Sequence, residues 1–371
     1  MSEPKFHLSR VVVKIGSSVL TDAAGRLLLE RFKSIVKQVA ACVPDAPQTI
    51  LVSSGAIACG MAILGLSSRP KALAQLQACA AVGQGHLMQC YTKAFGQYGM
   101  TPAQVLLTQE DLADRGRFRN AKQTLLTLLH HRVVPIVNEN DTVSVEEITF
   151  GDNDRLAALL SVAVDAQLLI ILSDVDGFLE DGRLIERIDT LNERHHAAIH
   201  GRARATTRGG MFSKLEASRI AGHHGIPVVI ANGTKPSVLQ DLLAGRPVGT
   251  LLVPPRERLS PRKWWIAFSL RQPKGQLVID AGASQALLER GKSLLASGIL
   301  EVKGHFQKGC CVAITDGQHR QLARGIVNFS SAELLRIRGL RSMDIARTLG
   351  DASVREVVHR DQLVFARDMH S

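Results

Sequence analysis

Five runs of apolar, largely β-branched residues recur along the first 250 positions, and they constrain this chain more than anything else in it. They are "VVVKIG" (11–16), "TILVSSG" (49–55), "VVPIVN" (133–138), "LLIILSD" (168–174) and "PVVIANG" (227–233). None alternates apolar with polar, so each strand needs cover on both faces. A mostly parallel sheet sandwiched between helices supplies that cover, because each crossover lays a helix on the sheet. Segments with helical spacing lie between the runs, as in "ALAQLQACAAVGQGHLMQCYTKAF" (72–95) and "RNAKQTLLTLLHHR" (119–132). The fold class expected is α/β. Ligands of such sheets bind beyond the carboxyl ends of the strands, where the runs turn to Gly, Ser, Asn and Asp.

The pattern changes after residue 253. "LLVPPRERLSPRKWW" (251–265) is rich in proline and basic residues and reads as a linker. Beyond it come short segments punctuated by glycine, "GQLVIDAGA", "GILEVKGHFQKGCCVAITD" and "RQLARGIVNFS", the pattern of a small β-rich barrel. The expected organisation is a sheet domain over 1–253, a linker over 254–274 and a barrel domain over 275–371. Residues 251–371 hold 19 Lys and Arg against 11 Asp and Glu, so net +8 of the chain's +11 sits there. Such a surface either meets a polyanion or simply aids solubility. No apolar run is long enough to span a membrane, and "MSEPKFHLSRVVV" lacks signal-peptide architecture. The six cysteines show no metal-like spacing and read as small buried hydrophobes in a reducing compartment. The expected location is the cytoplasm.

Four stretches offer polar groups at element ends. Lys14 precedes Gly16, Ser17 and Ser18 at the mouth of the first run, an order unlike a Walker A loop but able to set an ammonium beside phosphate oxygens. Read alone, a strand-end lysine is more often a surface residue. Ser53, Ser54 and Gly55 stand where a strand turns into a helix, with N–H groups and a hydroxyl suited to an anion, or to an N-cap. In "TTRGGMFSKLEASRIA" (206–221), two glycines allow close backbone approach and Lys214 falls in the first turn of a helix. A cation there opposes the helix macrodipole, which makes sense if an anion shares the place. The fourth stretch, "NENDTVSVEEITFGDND" (138–154), packs six carboxylates and three asparagines into seventeen positions of a basic chain. It could hold a metal, hold a cationic group of a substrate, or be a solvated loop.

In order and separation, "VVVKIGSSVLT", "VSSGAI", "AVGQ", "DRGRFRNAKQTL", "VPIVNENDTV", "FGDNDRLAALLS" and "RGGMFSKLEA" resemble the glutamate 5-kinase family of the amino-acid kinase superfamily. "GQLVIDAGASQALLERGKSLLASGILEVKGHFQKGCCVAI", "GIVNFSSAELLRIRG" and "VVHRDQLVF" resemble the PUA domain that many of its members carry. The resemblance implies phosphoryl transfer from ATP to the side-chain carboxylate of L-glutamate, giving L-glutamyl 5-phosphate, the first step of proline synthesis. By position, it makes Lys14 and Lys214 the catalytic lysines, both touching ATP, and Asp154 the carboxylate that orients them. Ser54, Asp141 and Asn153 match substrate-binding positions. Ser173, Asp174, Gly209, Gly210 and Met211 match nucleotide-binding positions. The resemblance further implies Mg²⁺ delivered with ATP rather than held in a protein cage, feedback inhibition by proline, and a homo-oligomer, dimer or tetramer. PUA domains elsewhere dock on structured RNA, so RNA is a candidate partner of the basic C-terminal part. Thr207-Arg208 stands where the family usually has a glycine–threonine pair, and the segment after Asp174 is short, so the nucleotide side departs most from the family pattern.

The chemistry suits these residue types. A carboxylate acceptor, with an intrinsic pKa of about 4, is already ionised at neutral pH and needs no general base. The obstacle is an anion approaching a polyanion, so positioning and cationic charge are what the protein must supply. On this reading the acidic stretch divides. Asp141 takes the substrate's ammonium, Asn153 and Asp154 belong to the site, and Glu146 and Glu147 face solvent.

Overall fold

The structure is a computed structural model and describes residues 8–22, 26–41, 48–143, 152–192, 195, 210–270, 272–350 and 356–370. The chain divides into two compact units, 1–258 and 259–371.

In the first unit the strands of the main sheet are β1 (Arg10–Ile15), β2 (Gln48–Ser53), β3 (Pro102–Leu107), β4 (Val134–Glu139), β5 (Leu168–Ser173), β6 (Arg187–Ile188), β7 (Val228–Asn232) and β8 (Thr250–Leu252). They form one sheet in the order β3–β4–β2–β1–β5–β7–β8–β6. All neighbours are parallel except β7 and β8, which run antiparallel, so the expected mostly parallel sheet is what forms. β4 and β5 are buried at every position, and β1 and β2 at all but their first residues. Continuous burial is why these four strands read as unbroken apolar runs. β3 is the exception. It lies at the sheet edge, opens on Pro102 and carries Gln104 on its exposed side, so its sequence lacks the apolar run that marks the others.

The helices that frame the cleft are α1 (Ser17–Leu20), α2 (Leu29–Ala41), α3 (Ala56–Ile63), α4 (Leu73–Gly96), α5 (Gln109–Ala113), α6 (Arg115–His130), α7 (Asp152–Ala163) and α8 (Met211–Gly222). On one face of the sheet Val11, Val13, Ile15, Phe32, Ile35, Tyr91 and Phe95 belong to a continuous core. Each large apolar side chain so buried stabilises the fold by about 1.5–3 kcal/mol. α7 is apolar on nearly every side: Leu156, Ala157, Ala158, Leu159, Leu160 and Val162 are all buried. A helix enclosed this way has little freedom to move.

α3 and α4 cross at a contact made of backbone. A Cβ built on Gly83 would fall against the Ala56 carbonyl oxygen and 2.6 Å from the Gly60 nitrogen, and one on Gly60 would fall against the Cys79 carbonyl. Gly55, at φ 104°, makes the left-handed turn by which β2 enters α3.

The second unit is built on a five-stranded sheet. With β9 (Gln276–Ile279), β10 (Ile299–Lys303), β11 (Cys311–Thr315), β12 (Gln321–Ile326) and β13 (Leu363–Phe365), the order is β10–β9–β11–β12–β13. Its core is separate from the first, with Leu277, Ile279, Val312, Ile314, Leu334 and Val358 at its centre. This is the small β-rich domain expected of the glycine-punctuated C-terminal part. Among the described residues no helix is long and apolar enough to cross a membrane.

Candidate active site

Parallel pairing brings the carboxyl ends of β1, β2, β4, β5 and β7 to one edge of the sheet, and the polar groups of the sequence gather there. Ile15 pairs with Ser53 on one side and with Leu172 on the other, and Ser173 pairs with Asn232. The turns beyond are fixed by backbone bonds. Gly16 N–H donates to Leu172 O at 3.0 Å, and Ser54 N–H to Ile15 O at 3.1 Å. The sequence reading left the N–H groups at Ser53–Gly55 for an anion, whereas the sheet takes up that of Ser54. At Ser54 the hydroxyl is the group that remains.

At the centre stands Asp154, third residue of α7 and 0% exposed. Lys14 Nζ lies 2.6 Å from its Oδ1 and Lys214 Nζ lies 3.4 Å from its Oδ2. Each lysine is 6% exposed. Three elements thus meet on one carboxylate: β1 through Lys14, α7 through Asp154 and α8 through Lys214. Ser213 adds a third contact to the carboxylate. Its hydroxyl donates to Asp154 Oδ2 at 2.6 Å and also lies 2.9 Å from Gly210 O, linking the carboxylate to the residue that caps α8.

The electrostatics follow from burial against pairing. Burial is the largest influence on Asp154 and would raise its pKa. The Lys14 and Lys214 charges, with hydrogen bonds from Lys14 and Ser213, outweigh it and hold the carboxyl below its ordinary range. For Lys214 burial again dominates. It pulls the ammonium below the usual lysine value, Lys14 adds to that, and Asp154 and Asp174 oppose it. The anion that the Lys214 position called for is therefore, in part, Asp154 itself. Asp154 in turn sits in the first turn of α7, where a negative charge favours the macrodipole. Two ammonium groups against one carboxylate leave the cluster with net +1 at the edge of the sheet. That charge is suited to a further anion.

Beside this cluster runs a chain of amides. Asn153 Nδ2 reaches Ser54 Oγ at 3.0 Å, Ser53 O at 3.2 Å and Asn138 Oδ1 at 2.9 Å. Asn138 Nδ2 donates to Gln84 Oε1 at 2.9 Å, and Gln84 Nε2 to Gln104 Oε1 at 3.2 Å. Ser53, wholly buried, shares a 2.8 Å hydrogen bond with the buried Tyr91 hydroxyl, which ties the mouth of β2 to α4.

Other residues singled out in the sequence take these places. Asp141 opens the turn after β4 and is in electrostatic reach of Arg69, where burial works against the guanidinium charge and Asp141 works for it. Ser173 ends β5 and Asp174 follows it, the Ser173 hydroxyl donating to Asp174 Oδ1 at 3.1 Å. Gly210 caps α8 and Met211 is its first residue. Gly209, Thr207, Arg208, Glu146 and Glu147 lie outside the described residues. Ser213, Asn138 and Gln84 were not singled out. Asn138 had a signal, a polar side chain closing an otherwise apolar run. Gln84 lies within a helix and stood in the quoted motif AVGQ, which gave it no role of its own.

Comparison with known proteins identifies the family. A family model described as "Amino acid kinase family" matches residues 9–232, and a PUA domain model matches residues 275–349. A glutamate 5-kinase of Geobacter sulfurreducens is 46% identical over 364 residues, covering 96% of this chain and 97% of that one. One of Caldanaerobacter subterraneus subsp. tengcongensis is 45% identical over 362 residues, with the same shares. One of Syntrophus aciditrophicus is 44% identical over 368 residues, covering 97% of this chain and 95% of that one. The first model spans more than half of the sequence and the relatives match it nearly from end to end: the chain belongs to the amino acid kinase family and carries a C-terminal PUA domain.

Proposed function

We propose that this chain transfers the γ-phosphoryl group of ATP to the side-chain carboxylate of L-glutamate, producing L-glutamyl 5-phosphate, the first step of proline biosynthesis. The observation that carries the proposal is the buried Lys14–Asp154–Lys214 cluster at the carboxyl edge of the sheet. Its surplus cation answers the one large obstacle of the reaction, the repulsion between a carboxylate and a triphosphate.

Each residue then has a task. Lys14 and Lys214 neutralise the oxygens of the transferred phosphoryl group, and Asp154 holds both ammonium groups so that neither reorganises as charge develops. Ser54, Asn153 and Asp141 receive glutamate, Asp141 taking its α-ammonium. Ser173, Asp174, Gly209, Gly210 and Met211 receive the nucleotide, which enters as Mg·ATP. No residue acts as a general base, since the attacking carboxylate is already ionised.

Proline acts as a feedback inhibitor and the chain works in the cytoplasm as a homo-oligomer, a dimer or tetramer. The basic C-terminal part, net +8 over 251–371, contacts RNA as an accessory activity, with the strong salt dependence of phosphate contacts. The test is a hydroxamate assay, which traps an acyl phosphate, run with a panel of acceptors and with and without proline. Product that requires both glutamate and Mg·ATP is expected. Activity on acetylglutamate but not on glutamate would overturn the proposal.

A further inference from the structure

One donor in the amide chain behind Ser54 cannot turn over. Glu139 N–H belongs to the backbone of β4 and donates to the side-chain oxygen of Asn138 at 2.9 Å. That contact decides which end of the Asn138 amide is oxygen. The amino end of Asn138 must then face Gln84, whose oxygen accepts it at 2.9 Å, and the amino end of Gln84 continues to Gln104 at 3.2 Å. On the cleft side the same Asn138 oxygen accepts from Asn153 Nδ2 at 2.9 Å. Asn153 is therefore oriented as well: its amino group serves Asn138, the Ser53 carbonyl and Ser54 Oγ, and its oxygen faces Glu139 N–H at 3.4 Å.

Ser54 lies at the end of this sequence. Its oxygen accepts from Asn153, so its single proton must be given elsewhere, and its backbone N–H is held by Ile15. Half-buried at the strand mouth, Ser54 thus faces the cleft as a donor, the polarity that an anionic oxygen requires.

We infer that Gln84 is a positioning residue for glutamate. It is buried on α4 and acts through its oxygen, which keeps the Asn138 amino group satisfied and so keeps Asn138 and Asn153 in the orientation that turns the Ser54 proton toward the substrate carboxylate. The inference rests on the glutamate kinase reading above. Gln84 belongs to the acceptor side alone, because its contacts run to Asn138 and Gln104 and not to the lysine cluster.

Steady-state kinetics of Gln84→Met and Gln84→Glu in the full-length enzyme test it. Methionine keeps the volume and loses the acceptor, so the glutamate KM rises about tenfold while the ATP KM stays within about twofold. Glutamate at this position keeps an oxygen facing Asn138, and the glutamate KM returns to within about threefold of wild type. In a Ser54→Ala background Gln84→Met adds less than about twofold, because the group it orients is gone. Should Gln84→Met fail to fold, Gln84→Asn withdraws the amide from Asn138 and is expected to give the same KM split. An unchanged glutamate KM, equal rises in both KM values, or full additivity with Ser54→Ala overturns the inference. A wild-type enzyme without glutamate-dependent activity refutes the functional reading instead, so the two failures are distinct.

Discussion

Replacing Asp154 by asparagine tests the cluster most directly. The change keeps shape and removes one charge, leaving the ammonium groups of Lys14 and Lys214, each 6% exposed, without the carboxylate that lies 2.6 and 3.4 Å from them. Removing one member of a buried ion pair costs about 3–5 kcal/mol. A second route gives a similar figure. The protein can relieve the repulsion by discharging one lysine, and doing so at about pH 7.5 from an intrinsic pKa of about 10.4 costs about 4 kcal/mol. Discharge sets a ceiling on the loss, and Lys214 is the lysine that yields, because burial already pulls its pKa down. With Lys214 neutral or displaced, one of the two cations that the proposed function sets against the phosphoryl group is lost. Single preorganised electrostatic contacts of this kind are worth about 10²–10³ in kcat. Asp154→Asn is therefore expected to lower kcat at least a hundredfold in the glutamate-dependent hydroxamate assay and to lower unfolding free energy by about 4 kcal/mol in a urea titration. A variant that keeps kcat within tenfold of wild type would show that Asp154 neither orients nor charges the lysines.

Two further outcomes follow from the same geometry. The depressed pKa of Lys214 means that it loses its proton before an ordinary lysine would, so kcat/KM should fall on the alkaline side below about pH 10.4. The unfolded chain binds that proton more tightly than the folded one, so this group's contribution to stability rises with pH through the same window. Activity that falls while the urea midpoint holds separates discharge from alkaline unfolding, and Lys214→Arg should carry the limb to higher pH at a lower maximal rate. Gly83→Ala sets a methyl against the Ala56 carbonyl and the Gly60 nitrogen, both backbone atoms unable to turn aside. Overpacking of this sort costs about 1–3 kcal/mol, read as a lowered melting temperature, and an unchanged one would mean that α3 and α4 separate freely.

Much of this molecule could be read from its sequence, for reasons that differ by element. β1, β2, β4 and β5 were legible because they are buried on both faces and carry unbroken apolar runs, whereas edge strand β3 has Gln104 exposed and gives no such signal. Lys14, Asp154 and Lys214 could be named from the motifs around them. That one carboxylate serves both lysines was implied by the family resemblance, but the distances of 2.6 and 3.4 Å could not be read, because the three are brought together by the packing of β1, α7 and α8 across 200 positions of sequence. The expectation of free N–H groups at Ser54 treated the strand end in isolation, and a neighbouring strand takes up the donor. Gln84 stood in the quoted motif AVGQ, but its role was hidden for a similar reason. One polar residue among several in a long helix looks like surface until its partners, Asn138 and Gln104, arrive from two strands.

The glycine contact between α3 and α4 does more than fill space. α3 starts two residues after Ser54, and α4 carries Gln84 immediately after Gly83, so two members of the chain, Ser54 and Gln84, are mounted on opposite sides of that one crossing. At Gly60 and Gly83 no side chain stands between the helices, so their separation there is set by backbone atoms and cannot drift with the rotamer of a neighbour. The crossing works as a ruler. It transmits a fixed length from the helix layer to the cleft, and the tolerance of the acceptor site is the tolerance of two backbones in contact.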